Sequence, residues 1–71
     1  MIIVLTNTNP EVKGDAIALN TDFIVSIREG KVKRDGGDEE KATLVFCPPH
    51  GTWEVQESLK DILKMINKKT N

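Results

Sequence analysis

The feature that most restricts the fold of this chain is a single change of hydrophobic period. In "ESLKDILKMINKKTN", Leu59, Ile62, Leu63 and Ile66 recur at i, i+3, i+4 and i+7, the spacing that lines up side chains along one stripe of an α-helix. Every apolar run before it is either continuous or alternates in twos, the signature of extended chain. Ser58 is a natural N-cap for the helix, with Asp61 placed to donate its backbone N–H to the Ser58 hydroxyl and to set a carboxylate near the positive helix end. The expected helix spans about residues 58–68, with Lys68 and Lys69 in its last turn.

The extended segments are expected at about 1–6, 16–20, 23–29, 42–47 and 52–56. "MIIVLT" is a strand covered on both faces. "AIALN" sets Ile17 and Leu19 against Ala16 and Ala18. In "FIVSIRE", alternation counted from Phe23 puts Phe23, Val25 and Ile27 in the core and Ile24, Ser26 and Arg28 on the other face. In "ATLVFC", Leu44 and Phe46 oppose Thr43, Val45 and Cys47. "TWEVQ" turns Trp53 and Val55 inward. "KVK" extends the third strand as a solvated arm, and the Asp-Gly step of "RDGGD" suits a hairpin reversal. No connection is long enough to hold a crossover helix. The expected architecture is α+β: a single domain over residues 1–71, with a small antiparallel β-sheet or partly rolled barrel of four or five strands and one C-terminal α-helix.

Ten basic residues against eleven acidic ones give a net charge of −1, so no global field draws in a polyanion. Nucleic-acid contacts would need a local patch, and two sets of residues offer one: Lys31, Lys33 and Arg34 near the long hairpin, and Lys60, Lys64 and Lys68 along the helix. The lone cysteine rules out an internal disulfide and fits a reducing compartment. The apolar opening is too short for a leader or a membrane span, so a cytoplasmic protein with no membrane partner is expected.

The chain's single cysteine, histidine and tryptophan cluster in "VFCPPHGTWEV". A C-x-x-H pair supplies two ligands, whereas a structural zinc site needs four and a catalytic one three plus water. Nucleophilic catalysis would need a base aimed at the thiol and a third group to orient it. A turn between two strands accounts for the segment more simply. Gly36, Gly37 and Gly51 belong to no phosphate-cradling motif, and the Glu39-Glu40 pair lacks apolar surroundings that would tune it for proton transfer. Neither a catalytic residue, a cofactor nor a metal is expected.

One helix covers only one face of a sheet, yet Ile2, Val4, Ile24 and Val45 supply apolar side chains to the face opposite Ile3, Leu5, Phe23, Val25 and Leu44. Either the sheet curls around that surplus or a second copy packs on it. Ile2, Val4, Ile24 and Val45 are therefore the candidate dimer face, and self-association or binding to another protein is the expected partnership.

Leu19, Asn20, Asp22, Ile24 and Ile27, followed by Val55, Glu57, Ser58 and Ile62, reproduce an "LN-x-D-x-I-x-x-I" segment and a "V-x-E-S-x-x-x-I" helix entry. In this order the chain resembles the small flagellar FlbD family, also called the swarming-motility SwrD family. The "NPEVKGD" and "GKVKRDGGDEEK" loops are longer here, and "CPPHGT" stands where the family has a short glycine turn. The resemblance implies a non-enzymatic accessory protein that works by binding another protein. A fainter similarity, to the LytTR type of DNA-binding domain, implies DNA contacts through basic loops.

Overall fold

The computed structural model describes residues 1–67. Its strands are β1 (Ile2–Thr6), β2 (Ala16–Asn20), β3 (Ser26–Lys33), β4 (Glu39–Cys47) and β5 (Gly51–Val55), followed by helix α1 (Leu59–Asn67). The architecture is α+β and entirely antiparallel: β1 pairs with β2, and β3, β4 and β5 form a second sheet in that order. Both sheets are open, so there is no closed barrel. They meet where β1 runs out alongside the end of β5. There Asn7 bridges Val55, Thr8 N–H donates to the Glu54 carbonyl at 3.0 Å, and Gln56 N–H donates to the Thr6 carbonyl at 2.9 Å.

Two buried or half-buried polar groups fix this junction. The Asn7 backbone N–H and side-chain amide both donate to the Asp15 carbonyl, at 2.9 and 3.2 Å, and its own carbonyl accepts from Gly14 N–H. The Asn7 side chain is thereby satisfied although only 5% of the residue is exposed, as burial of an amide requires. The Glu57 carboxylate, just before α1, accepts from Thr6 N–H at 2.8 Å and from the Thr6 hydroxyl at 2.9 Å. This clasp ties the helix entry to β1.

Helix α1 starts as its cap predicts: Ser58 Oγ accepts from Asp61 N–H at 3.0 Å. The Glu29 side chain on β3 also accepts from Leu59 N–H at 3.3 Å, satisfying a second free donor of the first turn. The core gathers Ile3 and Leu5 from β1, Leu19 from β2, Val45 and Cys47 from β4, Val55 from β5 and Ile62 from α1. Ile62 is fully buried, and hiding a side chain of that size contributes about 1.5–3 kcal/mol before entropy is counted. The helix is what both sheets pack against.

Three sequence-based assignments are corrected. Phe23 and Val25 are exposed, at 62% and 67%, Ile24 packs on the core in their place, and Ile27 packs there as expected. The cause is a single 3-10 turn over Thr21–Phe23, which the Asn20 side chain caps by accepting from Asp22 N–H at 3.0 Å. Extended pairing begins only at Ser26, so two-residue alternation does not apply to Phe23, Ile24 and Val25 and holds only from Ile27 on. On β4, Thr43, Val45 and Cys47 are buried together, with Ala42 buried before them, and Phe46 is exposed. The pairing of Val45 with both Ile27 and Trp53 places it at the centre of the covered face. Along α1, Leu63 is 44% exposed, and Met65 packs on the core instead.

Candidate interaction surface

Ile2, Val4, Phe23, Val25 and Leu63 fall into two groups of exposed apolar residues, and Val12 and Phe46 are exposed outside both. The first surrounds a groove between α1 and the start of β3. Thr21, Ile24, Val25, Ser26, Ile27, Leu59, Leu63 and Ile66 line it. The 3-10 turn builds this groove by swinging the chain before β3 so that Ile24 reaches the core while Val25 is left outside. Val25 is held there by its N–H, which donates to the Phe46 carbonyl at 2.9 Å. Among the described residues, no charged group lines the groove, so its lining suits apolar side chains. Phe23 stands exposed just before it. Alternation and helical period place Val25 and Leu63 in the core; the turn-forming Asn20, Thr21 and Asp22 are the clue that the strand starts later.

The second group lies on the outer face of β1 and β2, where Ile2 and Val4 are 60% and 58% exposed beside the exposed Ala16 and Ala18. Of the expected dimer face, Ile2 and Val4 are thus at the surface together. Ile24 is half-buried at the groove, and Val45, with no exposed area, lies inside the core. Val45 cannot belong to a contact face.

The basic candidates are not assembled into one patch. Lys31 and Lys33 are exposed on the distal half of β3, opposite Lys41 and Glu39. Lys60 and Lys64 are exposed on α1, and Lys68 lies outside the described residues. Arg34 is committed elsewhere: Nε donates to Glu40 at 3.2 Å, one terminal nitrogen to Glu54 at 3.0 Å, and the other to the Thr8 carbonyl at 3.2 Å. Burial works against its charge, but hydrogen bonds and Coulomb attraction from Glu40 and Glu54 outweigh that and raise its pKa above the usual arginine value. Arg34 therefore pins the hairpin base to the sheet junction and has no free fork for phosphate.

Cys47 is a free, buried thiol at the end of β4. His50 follows in the turn, and its ring lies flat on Trp53, with centroids 4.1 Å apart and planes within 9°. No hydrogen bond joins the thiol and the imidazole, so the pair lacks the nucleophile–base contact that covalent catalysis uses. Among the described residues, no group of three or more His, Cys, Asp or Glu could hold a metal ion, and no helix is long and apolar enough to cross a membrane.

Comparison of the chain with family models, with curated proteins and with solved structures found no match.

Proposed function

We propose that this protein is a non-catalytic, cytoplasmic protein-interaction module whose α1–β3 groove receives apolar side chains of a partner polypeptide. The observation that carries the reading is the uncharged groove flanked by Val25 and Leu63, both well exposed. An exposed apolar cluster of this kind at a concave site commonly marks a binding surface. A lone buried cysteine supports a reducing setting.

The resemblance to the small flagellar family belongs to the same proposal and agrees with an accessory role. The residues that carry it are structural here: Leu19, Val55 and Ile62 are core, Ile24 and Ile27 pack on it, Asn20 caps the 3-10 turn, Ser58 caps α1, and Glu57 clasps Thr6. They describe a scaffold, while the groove rim at Val25 and Leu63 lies outside the shared pattern.

The test is site-specific photocrosslinking in the cells that make the protein. A photoreactive residue at Leu63 is expected to trap a discrete protein adduct, absent when the same residue replaces Lys33, and lost when Val25→Asp is added. Identical adducts at both positions, or none at Leu63, would refute the groove as the binding site.

A further inference from the structure

Strand β2 has a free edge whose backbone is complementary to itself. At the two ends of the β1–β2 pairing, Asn7 N–H donates to the Asp15 carbonyl and Thr21 N–H to the Met1 carbonyl. With the register in which Leu5 faces Ile17 and Ile3 faces Leu19, the residues bonded to β1 are therefore Asp15, Ile17, Leu19 and Thr21. Hydrogen-bonding direction alternates along a strand, so the N–H groups and carbonyls of Ala16 and Ala18, and the N–H of Asn20, point away from β1. β1 is the only strand that pairs with β2 among the described residues.

We propose that β2 pairs antiparallel with β2 of a second copy, about a twofold axis through Ala18. In that register Ala18 exchanges both backbone bonds with the second copy's Ala18, and Ala16 does so with the second copy's Asn20. Every outward N–H of the strand then has an acceptor. A twofold axis perpendicular to the sheet keeps each face on its own side. Ile17, which is only partly buried in one copy, then sits directly opposite the second copy's Leu19, in the closely spaced, non-hydrogen-bonded kind of pair whose side chains touch. The apolar layer would run unbroken across the axis. No like charges face one another: Asp15 lies opposite the second copy's Thr21, and residues 16–20 carry no ionisable group. The edge also lacks the lysine, proline or bulge by which natural sheets discourage such pairing. This inference rests on the β2 backbone and is independent of the groove.

Analytical ultracentrifugation decides it. The wild-type protein is expected to sediment as a dimer. Ala18→Lys and Ala18→Glu, exposed substitutions that leave the bonds to β1 intact, place like charges across the axis, so each alone should show a twofold drop in mass with an unchanged circular dichroism spectrum. An equal mixture of the two should recover the dimer, because lysine then faces glutamate. Ala18→Pro, which removes only an outward N–H, should also be monomeric. A wild-type monomer at every concentration tested, or a dimer indifferent to Ala18→Lys, would overturn the proposal.

Discussion

Two of the edge strands of this molecule, β2 and β3, are opposites. β3 presents Arg28, Glu29, Lys31 and Lys33 along eight residues, so a strand approaching that edge meets charge on both faces and must strip water from it. β2 presents "AIALN", with aliphatic side chains inside, alanines outside and nothing to repel a neighbour. Edge protection in small sheets is bought with charge, and here it is spent on one side only. Ile17 on β2 and Ile27 on β3 are both only partly buried, so the contrast between the edges lies in charge. Under the proposed pairing, β3 is an end of the assembly and β2 a joint.

The contrast can be broken most severely from the centre. Ile62→Ala removes the side chain that both sheets share and should cost about 2–5 kcal/mol in denaturant unfolding, with amide exchange rising in β2 and β3 together. If only one sheet loosens, the molecule has two cores and the edges are unrelated. Glu57→Ala opens the clasp on Thr6 and should cost about 1–3 kcal/mol, with exchange accelerating in β1 and β2 more than in β4. Equal acceleration in both sheets would show that the clasp does not set them apart.

Asn20→Ala removes the cap on the turn that precedes β3 and should cost about 1 kcal/mol. Its amide signature should be confined to residues 21–25. A change reaching the far end of β3 would mean the turn fixes the whole strand. The smallest effect on stability, within about 0.5 kcal/mol, is expected from Lys31→Thr combined with Lys33→Thr. That variant makes β3 resemble β2 and should gain a concentration-dependent association that wild-type β3 lacks, detectable by light scattering in an Ala18→Lys background. A variant that stays monomeric would show that Lys31 and Lys33 are not what protects β3.

Much of the architecture was legible because its signals are local. The i, i+3, i+4 stripe with Ser58 ahead of it marks α1, and the Asp-Gly step marks the β3–β4 reversal, where Gly36 and Gly37 take φ of 92° and 90° that L side chains avoid. The sidedness of β4 was not legible. Alternation says that Leu44 and Phe46 differ from Val45 and Cys47, but which set is covered depends on where a helix residues later comes to rest. The exposed rim at Val25 was hidden for a related reason: a 3-10 turn delays the start of β3 to Ser26 without leaving an apolar gap. Arg34 was read as free because Glu54 is brought to it only by pairing of distant strands. Of the residues that alternation set on one face, Ile2 and Val4 reach the surface, whereas the burial of Val45 required the sidedness of β4.

The clasp between Thr6 and Glu57 joins positions 51 residues apart. A nascent chain leaving the ribosome therefore carries Ile3, Leu5 and Leu19 incompletely covered until Glu57 and Ile62 have also emerged, since among their buried core partners only Val45, Cys47 and Val55 come earlier. That delay exposes the uncharged β2 edge at the stage when other unfinished copies on the same messenger are nearest.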